Sequence, residues 1–173
     1  MRPVVIVSAC LLGQPVRYDG GDKSNTLVRK LLAERFDIFP LCPEAEAGLG
    51  IPRPPVQLVR NGEGMIEVLG VEQELDVTGA LRDFSHRSIA QLVGRIDGAV
   101  LKSRSPSCGI GTTPLFDQER NQVAIDSGVF AQTLLVHMPR LPVIDEEQFS
   151  DETLRDAFLR SVEKQFATRD HIV

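Results

Sequence analysis

Short apolar runs alternate with long loops rich in Gly, Pro, Asp and Asn along this chain of 173 residues. Four of the runs span four to six residues and consist mainly of Val, Ile, Leu, Phe and Ala. Runs of that length and composition are typical of strands that lie buried in a parallel sheet. The predicted strands lie at 4–7, 36–41, 98–102 and 141–144.

Between these strands, apolar residues recur at the spacing that lines one face of a helix. The predicted helices lie at 26–35, 78–96 and 128–138, and further C-terminal helices start at Asp145 or Ser150. Asn25 stands directly before the first of these segments, where its side chain can cap a helix start. Residues 56–76 differ, because they alternate weakly around the turn Asn61-Gly62 and therefore predict a β-hairpin.

The order of these elements predicts the fold class. Strands that alternate with helices indicate an α/β fold with a mainly parallel sheet and flanking helices, a Rossmann-like arrangement with a small β-hairpin excursion. A length of 173 residues fits a single domain, so we assign residues 1–173 to one domain. In such folds, ligands bind beyond the carboxyl ends of the strands.

Composition and charge narrow the classes of function. The net charge of −5 leaves no overall basic surface for a nucleic acid, and one Tyr with no Trp offers no obvious platform for base stacking. No apolar run approaches the roughly 20 residues that span a bilayer. The N-terminus also lacks the length and cleavage site of a signal peptide. We therefore expect a cytoplasmic protein without a membrane partner.

The three cysteines follow predicted strands. Cys10 lies just beyond the first strand, Cys42 just beyond the second, and Cys108 in the loop after the third. Each has polar, Gly- or Pro-rich neighbours, whereas a cysteine that only fills a core more often lies within an apolar strand or helix. In a reducing compartment, three thiols indicate metal ligation or catalysis in preference to disulfides. If the strands are neighbours, the thiols converge at one edge of the sheet.

The residues alone leave the identity of a bound metal open. Structural zinc usually takes four ligands, commonly in C-x2-C pairs, and no such pair occurs here. The candidates for a fourth ligand are His86, His137 and His171, of which His137 lies on an apolar helix and His171 in the tail. A catalytic zinc with three cysteines and a water is one alternative. An iron–sulfur cluster on three thiolates is the other, and it leaves one iron free for a soft sulfur donor.

Three stretches of the sequence resemble a known family. SACLLGQPVRYDG at 8–20, LCPEAEAGLGIPRPP at 41–55 and LKSRSPSCG at 101–109 are similar to motifs of the thiouracil desulfidase family, formerly an uncharacterised bacterial family. Residues 127–145 also resemble the last helix and strand of that family. The motifs are long, stand in the family's order and cover the N-terminal two-thirds of the chain, so the resemblance is specific.

The resemblance implies a hydrolytic desulfuration, in which thiouracil and water give uracil and hydrogen sulfide. Characterised members of the family bind one 4Fe–4S cluster through three cysteines, which correspond to Cys10, Cys42 and Cys108 in this sequence. The iron without a cysteine ligand takes the sulfur of the thiolated uracil. The resemblance therefore predicts a 4Fe–4S cluster as the cofactor of this chain.

The resemblance also implies roles for a carboxylate and for serines. Glu44, in the CPE motif, corresponds to the catalytic glutamate, and we predict that it is the general base. Glu46 adds a second carboxylate, but Glu44 stands at the motif position. A serine of the SPSC loop assists, and we predict Ser105 as a catalytic residue and Ser107 as a substrate-binding residue. Both serines are also consistent with a simple turn, since Ser-Pro favours loops.

Arg17, Tyr18 and Arg53 complete the predicted substrate site. The ring of Tyr18 can pack on a pyrimidine face and Arg17 can meet a phosphate. The alternative is a local turn in which Arg17 pairs with Asp19. Arg53 lies in the stiff segment PRPP, which suits a donor that is directed at a fixed acceptor. It can equally pair with Glu44 and orient that carboxylate.

The predicted partner is a small thiopyrimidine. The second domain that tRNA-acting relatives carry is missing from this sequence, which makes tRNA an unexpected substrate and favours a free base or nucleoside. Two other classes of function stay open on the residues alone: a three-cysteine zinc, iron–sulfur or redox sensor, and a nucleotide-binding regulatory protein without catalysis. Release of sulfide from a thiouracil separates an enzyme from both.

Overall fold

Two four-stranded sheets and five helices make up the computed structural model, which describes residues 1–169. The strands are β1 (Val4–Ser8), β2 (Asp37–Leu41), β3 (Val56–Arg60), β4 (Ile66–Gly70), β5 (Gly98–Leu101), β6 (Thr113–Phe116), β7 (Gln122–Asp126) and β8 (Val143–Asp145). The helices are α1 (Thr26–Arg35), α2 (Thr78–Leu92), α3 (Val129–His137), α4 (Glu146–Ser150) and α5 (Glu152–Arg169). This architecture confirms the predicted α/β class with a parallel sheet.

The first sheet has the strand order β2-β1-β5-β8, and each neighbouring pair is parallel. Because successive residues of a strand point to opposite faces, this sheet has an apolar core on each side. Val5 shares one buried cluster with Phe158 of α5, and Ile6 shares another with Ile89 of α2. Helices therefore cover both faces, as is typical of parallel sheets.

The ends of the helices follow local signals. The side chain of Asn25 accepts a hydrogen bond from the N–H of Val28 at 3.0 Å, so Asn25 is the N-cap of α1 as predicted. Helix α2 ends at Leu92, earlier than the predicted end at 96, because Gly94 adopts a positive φ of 74° that an α-helix does not contain. No helix within residues 1–169 is both long and apolar enough to span a membrane.

The second sheet has the order β4-β3-β6-β7 and is larger than the predicted hairpin excursion. β3 and β4 form the predicted hairpin, β6 and β7 form another, and parallel pairing of β3 with β6 joins the two. The sequence pattern missed the second hairpin because neither of its strands is a continuous apolar run of the kind that marks β1 and β5. In addition, β6 contains Pro114, and β7 exposes Val123 and Ile125 at the edge of the sheet.

One face of the second sheet is apolar and buried. Leu58 of β3 pairs with Leu115 of β6, and both share a core cluster with Leu81 of α2. The opposite face borders a cavity, since Gln57 and Phe116 line the same space as residues that follow β1, β2 and β5. The two sheets thus meet around the carboxyl ends of the parallel strands.

We expect Asn25→Ala to lower the free energy of unfolding by about 1 kcal/mol, because the N–H of Val28 loses its acceptor at the start of α1. Urea denaturation followed by circular dichroism measures this change. Asn25→Asp is the control, since a carboxylate keeps the cap and interacts favourably with a helix N-terminus. An equal loss of stability in both variants would contradict the capping role.

Candidate active site

Three thiols surround one cavity at the carboxyl edge of the parallel sheet. Cys10 lies in a short 3-10 helix, Ala9–Leu12, that follows β1 directly, and Cys42 is the first residue beyond β2. Cys108 lies in the loop between β5 and β6. Because β2, β1 and β5 are parallel neighbours, their carboxyl ends meet at one edge, and all three cysteines line a cavity of about 400 Å³.

All three cysteines are free thiols, and burial favours their protonated form. Burial and the nearby Cys42 raise the pKa of Cys10 to about 11. Burial also raises the pKa of Cys42 and of Cys108, and at Cys108 the charges of the other two cysteines add to the increase. The three sulfur atoms therefore lie near enough to affect one another. All three can ionise together only beside a cationic centre.

The other potential metal ligands do not join the thiols. No three His, Cys, Asp or Glu side chains within residues 1–169 are grouped closely enough to hold a single metal ion. His86 of α2 and His137 of α3 meet edge to face, with ring centroids 5.5 Å apart, and neither lines the cavity. His171 lies outside the described residues.

Ser105 shapes the loop that carries Cys108. The hydroxyl oxygen of Ser105 accepts hydrogen bonds from the N–H groups of Ser107 at 3.2 Å and of Cys108 at 3.1 Å. Its carbonyl oxygen accepts from the N–H of Gly109 at 2.9 Å and from the hydroxyl of Thr113 at 2.8 Å. Ser105 thus stabilises a tight turn at the cavity, and its hydroxyl proton is still available to a ligand.

The start of α3 packs directly on the same loop. The carbonyl groups of Pro106 and Ser107 accept hydrogen bonds from the N–H groups of Val129 and Ala131, each at 3.0 Å, and no side chain caps this helix. The contact requires glycine at position 128, since a Cβ there would lie 2.4 Å from the carbonyl carbon of Ser107. The start of α3 therefore fixes the backbone of the loop that carries Cys108.

Hydrogen bonds hold both carboxylate oxygens of Glu44, which also lines the cavity. Oε2 accepts from Nε of Arg53 at 2.9 Å and lies 2.9 Å from its Nη2, while Oε1 accepts from the hydroxyl of Ser107 at 2.9 Å. The pairing of Glu44 with Arg53, which the sequence left as an alternative, is present. Glu46 is exposed, accepts a hydrogen bond from the N–H of Cys42 at 3.0 Å and does not line the cavity.

Arg53 is only 8% exposed and joins several loops. Its Nη1 donates to the carbonyl oxygens of Val16 and Gly50, both at 2.9 Å, and its backbone N–H donates to the carbonyl of Tyr18 at 2.8 Å. Most of its guanidinium donors are therefore already bound to protein groups. Arg53 borders the cavity, where the substrate site was predicted, and its contacts are those of a residue that orients Glu44.

Arg17 and Tyr18 line the cavity from a turn. Nε of Arg17 lies 3.7 Å from Oδ1 of Asp19, and its guanidinium carbon lies 5.3 Å from the centroid of the Tyr18 ring. Asp19 also accepts a hydrogen bond from the N–H of Gly21 at 3.0 Å, as the alternative of a local turn predicted. Arg17 and Tyr18 therefore belong to a local turn and line the cavity at the same time.

The sequence pattern missed a second ion pair, which is half-buried and involves the cavity residue Lys102. Nζ of Lys102 contacts Oε1 of Glu146, whose Oε2 accepts a hydrogen bond from the N–H of Ser103 at 2.7 Å. Burial by itself would raise the pKa of Glu146, but Lys102 and Ser103 outweigh that effect and lower it. The N–H of Lys102 donates to the hydroxyl of Ser8 at 2.9 Å. The sequence feature that could have indicated a role for Lys102 is its position within the motif LKSRSPSCG.

The second sheet supplies further lining residues that the sequence did not reveal. Gln57 of β3 and Phe116 of β6 both border the cavity. Their position depends on the parallel pairing of Leu58 with Leu115, which joins distant parts of the chain. No local pattern of residues signals such a pairing.

An α/β fold that gathers three thiols, a bound carboxylate and two serine hydroxyls around one cavity defines an enzyme with a thiol-lined active site. Residues 5–146 match the model of the 2-thiouracil desulfurase family, and the chain belongs to that family. The family membership and the enzyme class that the sequence predicted are thereby confirmed. The matched segment contains every predicted site residue and ends at Glu146.

Two relatives are similar over much of the chain. The solved structure of the 4Fe–4S-dependent thiouracil desulfidase TudS superposes with a TM-score of 0.69 at 35% sequence identity, covering 90% of this chain and 99% of that one. An uncharacterised protein of Bacillus subtilis strain 168, YbbK, is 31% identical over an alignment of 117 residues, and the match covers 62% of this chain and 74% of the relative.

We expect Gly128→Ala to lower the free energy of unfolding by about 1–3 kcal/mol, because its Cβ would overlap the backbone of the cysteine loop. Gly79→Ala in α2 is the matched control, since a Cβ at that position meets nothing within 4 Å and alanine favours a helix. Urea denaturation of both variants measures the difference. Wild-type stability of Gly128→Ala would show that the helix start does not restrain the loop.

Proposed function

We propose that this protein hydrolyses thiolated uracil to uracil and hydrogen sulfide, using a 4Fe–4S cluster held by Cys10, Cys42 and Cys108. The observation that carries the proposal is that the three thiols line the same cavity as the carboxylate of Glu44. Membership of the 2-thiouracil desulfurase family supports the reaction. Similarity to TudS, a 4Fe–4S-dependent thiouracil desulfidase, supports the cofactor.

The three thiols fit a cluster better than a single zinc ion. Zinc binds sulfur at about 2.3 Å in tetrahedral geometry, which brings its thiolates within about 4 Å of one another. No three donors in the described part of the chain are grouped closely enough for one ion. In a cluster each thiolate bonds a different iron, so thiols spread around one cavity suit it. The positive charge of its iron also compensates the three buried thiolates.

When bound, a cluster on three cysteines supplies one iron without a protein ligand, a Lewis acid that suits a soft thiocarbonyl sulfur. The chain supplies the space around it. A cavity of about 400 Å³ is within the range of small-molecule sites, and a pyrimidine ring is a small ligand. Tyr18 and Phe116 provide aromatic surfaces in its wall, against which a flat ring can pack.

Glu44 acts as the general base in this proposal, and Oε1 is the atom that takes the proton. Oε2 lies against the guanidinium of Arg53, whereas Oε1 accepts a single hydrogen bond, from Ser107. A carboxylate oxygen can accept two hydrogen bonds, so Oε1 has room for one from a water molecule. That water gives a proton to Oε1 while its oxygen adds to the thiocarbonyl carbon.

Arg53 and the two serines position these groups. The contacts of Arg53 with Oε2 restrict rotation of the Glu44 carboxylate, so that Oε1 keeps its direction. Ser107 donates its only hydroxyl proton to Oε1, which leaves its own lone pairs available to orient the water. Ser105 retains its hydroxyl proton, which can be donated to the pyrimidine. Arg17 contributes positive charge in the cavity wall.

The reaction balances without an oxidant or a reductant. The oxygen of water replaces sulfur on the ring carbon, and the carbon–sulfur bond breaks with its electron pair on sulfur. Glu44 returns the first proton to the leaving sulfur, and the second proton of the water follows. Sulfur therefore leaves as hydrogen sulfide, and the carboxylate of Glu44 is regenerated.

We expect anaerobic reconstitution with iron and sulfide to give a coloured protein with about four iron atoms per chain, because three cysteines hold one cluster. That protein should release sulfide from 2-thiouracil or 4-thiouracil, as measured by a colorimetric sulfide assay with uracil quantified by chromatography. Cys42→Ala is the control and should lose both the colour and the activity. A colourless protein with one zinc, or a coloured protein that releases no sulfide, would reject the proposal.

We expect Glu44→Gln to lower the rate of sulfide release by about 10²–10⁴-fold, because the amide cannot take the proton of water. Glu46→Gln is the matched control: it removes a carboxylate two positions away that does not line the cavity, and its rate should equal that of the wild type. Iron content of each variant is determined alongside the rate. Full activity of Glu44→Gln at normal iron content would show that another group is the base.

A further inference from the structure

Gln57 brings an amide into the cavity from the second sheet. Leu58 and Leu115 pair across β3 and β6 and both belong to the apolar core on one face of that sheet. Because side chains alternate along a strand, Gln57 and Phe116 point to the opposite face, and both line the cavity with the cysteines. Gln57 is therefore a polar group in a wall built by the other sheet.

Within residues 1–169, the side chain of Gln57 has no hydrogen-bond partner. Two charged groups of the cavity wall are, in contrast, bound to protein groups: Glu44 by Arg53 and Ser107, and Lys102 by Glu146. The amide is half-buried and has no protein partner, so its donor and its acceptor are both available to a ligand in the cavity. Among the described residues that line the cavity, Gln57 is the one with a carboxamide, which carries a neutral donor and a neutral acceptor together.

The chemistry of the amide matches one edge of uracil. A glutamine side chain offers a carbonyl acceptor beside an NH₂ donor. In 2-thiouracil and in 4-thiouracil alike, N3–H is a donor with the remaining carbonyl oxygen, an acceptor, beside it. The C5–H and C6–H edge of the ring offers neither a strong donor nor an acceptor. The pair of N1–H and the C2 carbonyl offers the same match in 4-thiouracil but not in 2-thiouracil, where C2 carries sulfur. The edge that contains N3–H is therefore the one that satisfies both groups of the amide in both isomers.

We propose that Gln57 is a specificity-determining residue that binds this edge, its carbonyl accepting from N3–H and its NH₂ donating to the remaining ring carbonyl. The inference rests on the proposed function and extends it, since it names the part of the substrate that is recognised. Pro114 and Phe116, which share the face of Gln57 across the β3–β6 pairing, also line the cavity and provide apolar surface there. Gln57 recognises the ring and does not choose between the 2-thio and 4-thio isomers.

The test compares 4-thiouracil with 3-methyl-4-thiouracil, in which a methyl group replaces the proton on N3. Reconstituted wild-type protein should prefer 4-thiouracil by about 10- to 100-fold in kcat/KM, since the methylated ring leaves the amide unpaired. Gln57→Leu should lose about the same factor with 4-thiouracil and should no longer distinguish the two compounds. Gln132→Leu, which changes an exposed glutamine outside the cavity, should behave as the wild type.

Binding provides a readout besides activity. Isothermal titration calorimetry of the reconstituted protein with uracil and with 3-methyluracil should give about 10-fold or greater preference for uracil in the wild type and none in Gln57→Leu. Gln57→Glu, which keeps an acceptor but loses the donors, should also bind uracil more weakly than the wild type. Gln57→Glu replaces Gln57→Leu in this experiment if the leucine variant does not fold. The comparison of uracil with 3-methyluracil on the wild-type protein tests the proposal without any variant.

The outcomes separate this inference from the proposed function. The wild type could release sulfide equally well from 4-thiouracil and 3-methyl-4-thiouracil, or Gln57→Leu could keep the wild-type preference at normal iron content. Either result would show that Gln57 does not bind the N3–H edge, while the proposed function would stand. If the wild type releases no sulfide from any thiouracil, the proposed function fails. Equal calorimetric affinity for uracil and 3-methyluracil would then overturn the role of Gln57 as well.

Discussion

The ion pair between Arg53 and Glu44 is the constraint on which the arrangement of the cavity depends. Arg53 binds the loop after β1 through the carbonyl of Val16 and the loop after β2 through Gly50 and Glu44. Glu44 extends the connection to Ser107 in the loop after β5. Removing one partner of a buried pair leaves an uncompensated charge, which strongly destabilises a fold. A single guanidinium thus holds three loops that are distant in sequence.

The charge of Glu44 is compensated by Arg53, whereas the three thiols have no comparable positive charge that would stabilise their thiolate forms. Lys102 and Arg17 favour the thiolate form of Cys10, but burial outweighs them and the pKa of that thiol is raised. The fold therefore provides space for three sulfur ligands without providing the positive charge that three thiolates require. In the proposed cofactor that charge comes from iron, so binding of the cluster releases protons from the cysteines. Cofactor assembly and ionisation of the thiols then form one coupled equilibrium.

Most of the fold and part of the site could be predicted from the sequence because their signals are local. Asn25 directly precedes an apolar periodic segment, and Cys10, Cys42 and Cys108 directly follow strands or stand in distinctive loops. The nine predicted site residues line one cavity. The position of Gln57 could not be predicted, because it depends on pairing between strands that are far apart in the chain.

The cavity has walls from two different sheets, and this division has a consequence for how the protein can diversify. The sulfur ligands and Glu44 follow strands of the parallel sheet, whereas Gln57 and Phe116 belong to the second sheet. A substitution at Gln57 or Phe116 changes the shape and polarity offered to a heterocycle without removing a hydrogen bond of the Cys108 loop or of Arg53. Mutations in the second sheet can therefore change which heterocycle the cavity accepts, while the cysteines and Glu44 on the parallel sheet stay unchanged.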